Sequence, residues 1–468
     1  MKRKILLFAA VATILAACTK DDGSSVLTYD EVKSWEPVQI SFDSFMGERA
    51  VTRGGYEGEM TTTTLQAATN ETNNGGGFGV FAYYTNGNGT TDGFYVPTTS
   101  TPNFMWNQLV SYSGGAWSYS PIKYWPNETK SDGDNGAISD HADKLSFFAY
   151  APYVVPAGTS DNNHMKPFAT PHTTGIISIS DNEKAGDPKV EYAPDFTGLH
   201  SVDLLWGVSN GGTGSTVNGT FTNVITSGNP FIDLVKQQTD GKIGFNFKHA
   251  LSRLALTVQA ANNQEAAGGN PLYDNTTAAN KTKIVIESVS LSANFPTNGI
   301  LNLNNTTTGV GVPYWETITE GAAQNITISA AAGNLRKDLI YDGTKNAQDN
   351  PEGVITGDEK HLMAPSADDF GTNAKYFMFI PSSNLNEITV NIVYHVITDD
   401  ENLVSGKIDV TNNITKVISV DSGGLFVAGK AYTFKLVLGV TSVVFEAVVE
   451  NWNATGNDTT VNLPINVE

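Results

Sequence analysis

Cysteine is almost missing from this chain. Cys18 is the single one in 468 residues, so no disulfide can close within it. Histidine is scarce as well, seven in all, with no HExxH and no paired metal-ligand spacing. There is no GxSxG elbow, no P-loop and no GxGxxG set between a strand and a helix. The glycine-rich stretches at 75–79 and 87–93 lack the lysine and following helix of a phosphate site, and read as turns. Nothing in these motifs points to an enzyme or to a cofactor. Basic residues are outnumbered 28 to 48, and the net charge of −20 disfavours nucleic acid and anionic lipid as direct partners. Charged residues make up only 16% of the chain against 40% hydrophobic, which excludes a disordered polymer. Arginine occurs only at positions 3, 49, 53, 253 and 336, yet two of the five stand four residues apart.

What is present is strand and turn chemistry. Glycine reaches 45 residues, and asparagine, threonine and serine are abundant between short β-branched and aromatic runs. The expected class is all-β, and the length suits two or three domains. Strand-like segments run at 78–85, 103–112, 117–125, 144–152 and 202–209. A second set follows at 283–293, 299–305, 324–332, 375–381, 387–398, 431–440 and 441–452. The stretch 249–261 comes closest to a helix, but Leu254, Leu256 and Val258 alternate, so it reads as a strand. These sets predict two β-sandwich domains, 36–240 and 241–468, although no Pro/Ser linker marks the division.

The two ends carry the most information. The first eighteen residues, MKRKILLFAAVATILAAC, have a basic start, an apolar run and small residues up to the cysteine. The run Ile5–Ala17 is 13 residues, short of the roughly 20 a membrane span needs. "LAAC" resembles the lipobox of bacterial lipoproteins, which makes 1–17 a signal peptide and Cys18 the lipidated residue. The following Lys20-Asp21-Asp22 resembles the short acidic signal that sends Bacteroidetes lipoproteins to the cell surface. After a polar tether over 18–35, Val38, Ile40 and Phe42 alternate with Gln39, Ser41 and Asp43. Arg49 and Arg53 come next, before a Gly/Thr/Asn stretch. At the other end Val461, Leu463, Ile465 and Val467 share one face, and Asn462, Pro464, Asn466 and Glu468 the other. A free apolar strand of this kind frays in water unless paired, and Pro464 suits it to an edge.

Two further groups invite a chemical reading. The loop 131–143 gathers Asp132, Asp134, Asp140, His141 and Asp143, but Gly136 falls where an EF-hand needs a ligand, so a solvated loop is the better reading. Trp106, Trp117 and Trp125, with Tyr119 and Tyr124, offer a sugar-stacking platform; aromatics in period-2 segments more often pack in cores and along edges. His249 stands alone in a strand-like run and reads as structural.

Taken together, these segments resemble the fimbrillins, the pilin-like and cell-adhesion lipoproteins of Bacteroidetes. The resemblance rests on "LAAC", "ISFDSFMGERAVTRGG", "GGFGVFAYYT", "WSYSPIKYWP", "LSFFAYAPY", "FKHALSRLALTV" and "GKAYTFKLVLGVTSVVFEAVVENW", and covers nearly the whole chain. It implies two β-sandwich domains of transthyretin-like topology in a precursor held to the outer membrane by lipid. It also implies an Arg-specific protease that removes the first strand, and a donor strand from another subunit that takes its place. Carried onto this sequence, Val38, Ile40 and Phe42 lie on the removable strand within 36–53. The cut falls after Arg53, where Gly54-Gly55 loosens the backbone, or alternatively after Arg49. The donor lies within 459–468. The implied partners are further copies of the subunit and accessory tip or anchor subunits, in a fimbrium at the cell surface. A surface lipoprotein that binds glycans through the tryptophans is the alternative.

Overall fold

The computed structural model describes residues 37–45, 60, 62–66, 76–86, 93–126, 143–154, 174–196, 201–209, 228–234, 241–261, 282–305, 313–329, 355, 359–363, 377–400, 402–420, 425–439 and 443–451. In chain order come β1 (Ser41–Phe45), the short helix α1 (Thr62–Leu65), β2 (Phe78–Thr85), β3 (Met105–Ser113), β4 (Ala116–Ser118) and β5 (Lys144–Ala151). Next are β6 (Gly175–Ile179), β7 (Lys189–Ala193), β8 (Leu205–Ser209), β9 (Phe231–Leu234), β10 (Lys242–His249) and β11 (Ser252–Ala260). Then follow β12 (Thr282–Ala293), β13 (Asn298–Asn302), β14 (Tyr314–Thr319), β15 (Gln324–Ser329), β16 (Lys360–Met363) and β17 (Phe377–Phe379). The last four are β18 (Glu387–Asp399), β19 (Lys407–Ser419), β20 (Lys430–Leu438) and β21 (Val443–Asn451). The protein is nearly all β, as its composition leads one to expect.

The largest sheet runs β1-β10-β8-β5-β2-β3-β4, with β9 beside β5. Its central strands are apolar on both faces because both faces are covered. On β5, Leu145 and Phe147 point into one core with Phe42, Val80 and Phe245, while Phe148 and Tyr150 point into a second with Phe81, Val190 and Trp206. The second core is roofed by the sheet β14-β13-β7-β6. Strands from either side of position 240 are interleaved here. β10 bonds to β8 in the large sheet, β13 bonds to β7 in the roof, and the chain leaves the large sheet over Ala250–Ser252.

The third core lies between the sheets β16-β11-β20-β21 and β15-β12-β18-β19. β11 reaches β20 in parallel, while the hairpins β18–β19 and β20–β21 are antiparallel and local. The strand expectation at 249–261 is met by β11. The long edge strand β19 does not stand out in the sequence. Asn412 and Asn413 interrupt its Ile/Val alternation, and its Thr/Asn content imitates a loop.

A slot closed by the first strand

β1 is the stave that closes a curled sheet. On one side it pairs in parallel with β10, from Ser41 opposite Lys242 to Phe45 opposite Asn246. On the other side the sheet's far end curls back: Gln39 bridges to Tyr124, Ile40 N donates to Lys123 O at 3.0 Å, and Trp125 N donates to Val38 O at 2.9 Å. Tyr119 adds its hydroxyl, donating to Ile40 O at 2.9 Å. Without β1, a slot would separate β10 from the 119–125 segment.

The slot is shaped for apolar knobs. Ile40 and Phe42 are buried, and the Phe42 ring meets Tyr119 at 5.2 Å, Phe147 and Phe245 at 6.1 Å, and Phe78 at 6.4 Å. Burying two such side chains stabilises the seat of β1 by about 3–6 kcal/mol. Val38 is half-buried, and Gly241 gives it room. A Cβ on Gly241 would come within 2.6 Å of Val38 Cγ1 and 2.9 Å of Gln39 O, and Gly241 itself holds a φ of +82°. Only glycine meets both demands cheaply. The exposed Lys242–Asp43 pair, 2.8 Å apart, adds little in water.

The chain on the far side of the arginine pair is fixed as firmly as β1. Met60 and Leu65 are buried in the same core as Phe42. Met60 N donates to Asp203 Oδ2 at 2.9 Å, and that oxygen lies 2.7 Å from His249 Nδ1 in a fully buried pair. Gly77 N donates to Leu65 O at 2.7 Å. Arg49 and Arg53 therefore fall between two seated segments, β1 and Met60, in a stretch outside the described residues. Cys18 and the tail residues Val461, Leu463, Ile465 and Val467 also lie outside them.

The aromatic motif has a different place from the platform it suggests. Trp106 packs on the second core and donates Nε1–H to Ser180 O at 2.8 Å. Trp117 packs on the first core, 4.9 Å from Phe78, and Trp125 is buried there, 5.9 Å from Phe147. The three tryptophans are split between opposite faces of the large sheet. The run 117–125 supplies the second wall of the slot, through Tyr119, Lys123 and Trp125. From the sequence, only the unusual density of aromatics beside Pro121 hinted at this. Of the acidic loop, Asp143 is described: it is buried, accepts the Tyr84 hydroxyl at 2.9 Å, and has its carboxyl pushed upward by burial.

No family model matches the chain. A curated fimbrium subunit, Fim1C of Phocaeicola vulgatus, is 23% identical to it over 468 residues, covering 97% of each chain. Among solved structures, a fimbrial protein from Bacteroides vulgatus superposes with a TM-score of 0.51 at 18% identity, over 89% of this chain and 99% of that one. The second likeness speaks to the fold. The curated relative is named as a fimbrium subunit, in agreement with the fimbrillin resemblance of the sequence.

Proposed function

We propose that this protein is a non-enzymatic fimbrial subunit of the cell surface whose slot is filled in turn by its own first strand and by another subunit's tail. The precursor carries lipid on Cys18 and is held to the outer membrane. An Arg-specific protease cuts after Arg53, or alternatively after Arg49, and frees the segment bearing Val38, Ile40 and Phe42. Residues 459–468 of the next subunit then present Val461, Leu463, Ile465 and Val467 to the vacated slot. The joint is head-to-tail and does not close on itself, so it propagates as a filament. Accessory tip and anchor subunits end it. The transthyretin-like strand order and the two-domain division belong to the same proposal.

The observation that carries this reading is the seat of β1. With the residues just before it, it is one short extended stretch, hydrogen-bonded on both sides, with its knobs in a pocket contributed, among the described residues, by residues from 60 onward. Strand addition uses the same interactions, ladder bonds for affinity and alternate pockets for fit. Deleting 459–468 is expected to abolish polymer ladders on unheated gels of whole cells, and intact ladders would sink the proposal. Sequencing the shed protein is expected to give Gly54 as its first residue, with Ala50 marking the alternative cut.

A further inference from the structure

The slot has a direction, and the tail carries a mark that reads it. Along 38–45, the stretch that leads into and forms β1, two alternations run together. Ile40 and Phe42 turn their side chains into the core, and Ile40 gives its N–H to Lys123 O, away from β10. Ser41 turns its side chain outward and gives its N–H to Gly241 O on the β10 side at 2.9 Å. The parallel register continues with Asp43 opposite Gly244. A strand running this way must therefore offer β10 an N–H from each residue between two inward knobs. In the tail, Pro464 is one of those residues, between Leu463 and Ile465, and it has no N–H. Laid along the direction of β1, it would strand Gly241 O or Ile243 O, according to register, inside the sheet.

Turning the strand end for end, with its knobs still inward, exchanges the two sides. The knob residues then face β10 with their N–H groups, and Pro464 faces the 119–125 side. Among the described residues, that side bonds to this stretch only at Val38 and Ile40, just before β1. Proline belongs at such an edge. A second observation agrees. Read in the direction of β1, the slot holds Val38, Ile40 and Phe42; read backwards, the tail offers Val467, Ile465 and Leu463. Valine replaces valine, isoleucine replaces isoleucine, and the widest place, ringed by four aromatics, receives the leucine. Read forwards, Ile465 would stand in the Phe42 place and Leu463 in that of Ile40.

We infer that the tail of a second copy enters the slot opposite in direction to β1, antiparallel to β10, with Val467, Ile465 and Leu463 in the places of Val38, Ile40 and Phe42. This rests on the reading above that the tail fills the slot, and adds the polarity and register of the joint.

Cysteine pairs test it in the full chain. Gly244 is open to a side chain, with no atom within 4 Å of a Cβ built on it, and it stands opposite Asp43. In the reversed direction Asn462 comes level with Asp43; in the direction of β1, Asn466 does. Cys18 precedes both arginines, so the cut chain contains no cysteine of its own. In sheared filaments on non-reducing gels, Gly244→Cys with Asn462→Cys is expected to link neighbouring subunits about ten-fold more than Gly244→Cys with Asn466→Cys, since only paired Cα atoms come within disulfide reach. The opposite preference would leave the tail in the slot and overturn its direction. Filaments with neither link would show the tail outside the slot and overturn both readings. Pro464→Ala is expected to leave the temperature that dissociates the ladder unchanged. A rise would mean that a bond to β10 had been regained, and would overturn the reversed direction.

Discussion

The first and third cores are similar in kind and are closed in different ways. The third has long-range pairs of its own, β11 with β20 and with β16. At one edge of each sheet, however, it is completed by sequence neighbours: β18 pairs with β19 along their full length, and β20 with β21. The first is completed by a strand whose partner lies 200 residues away, joined in parallel. A hairpin strand cannot leave without its partner, because a turn binds the two. A stave that no turn ties to its ladder partner is, under the proposed function, one that a cut in the chain could free for replacement by a strand of the same pattern. Replaceability follows from connectivity, with no weakness in the packing required.

Several substitutions set the two cores against each other. Phe42→Ala and Phe434→Ala each empty a buried ring from a core and are expected to lower the unfolding free energy of the precursor by about 3–5 kcal/mol in urea titrations. They part in the filament. Under the proposed strand exchange Phe42 would leave with its strand, so its variant subunit, once cut and assembled, is expected to match the unmodified one, while the Phe434 variant stays impaired. Asp203→Ala removes one partner of a buried pair and frees Met60 N. A buried donor left without its acceptor costs about 1–3 kcal/mol, and hydrogen exchange at Met60 is expected to report the loss.

Gly241→Ala brings a methyl group against Val38 and Gln39 at a positive φ, so a loss of about 1–3 kcal/mol is expected in thermal melts of the precursor. A Gly→Ala change in the turn at Gly406, where φ is also positive but nothing stands within 4 Å, is expected to cost only the backbone part.

The smallest effect is one of pH. Burial raises the Asp233 carboxyl above its ordinary 3.8, although the Tyr95 N–H and Lys144 oppose the shift. A raised group stabilises the fold below its unfolded value and loses that contribution as pH rises through the folded value. Glu320 runs the other way. Bonds from Ser382 and Asn384 hold it below its usual range, so its contribution is present above the ordinary value and lost in acid. Urea midpoints from about pH 3 to pH 7 are expected to fall less steeply for Asp233→Asn, whereas Glu320→Gln removes a rise.

Much of this was legible before any coordinates. Period-2 runs placed most strands, because an apolar alternation has few other uses, and β2 and β5 appear at or within a residue of where the pattern put them. β1 was legible for the same reason, although its parallel pairing was not, since nothing local in Val38–Phe45 names a partner two hundred residues on. The 117–125 run was half legible. Core and edge packing is the commoner fate of such aromatics, and Trp125 is buried, but nothing local told that the curl of the sheet makes the run a wall of the slot. Asp203 and Met60 gave no signal at all, because a single buried carboxylate paired to a backbone N–H and a histidine leaves no spacing to find.

Met60 and its hold on Asp203 have one more consequence. While the chain is whole, β1 stays covalently joined to that anchor through 46–59, and so short a link keeps the strand near the slot at an effective concentration on the order of millimolar. A cut within 46–59 leaves in place every hydrogen bond and buried contact of β1 described above. It turns an intramolecular occupant into an ordinary ligand that, once released, dilutes away and must compete for its own seat.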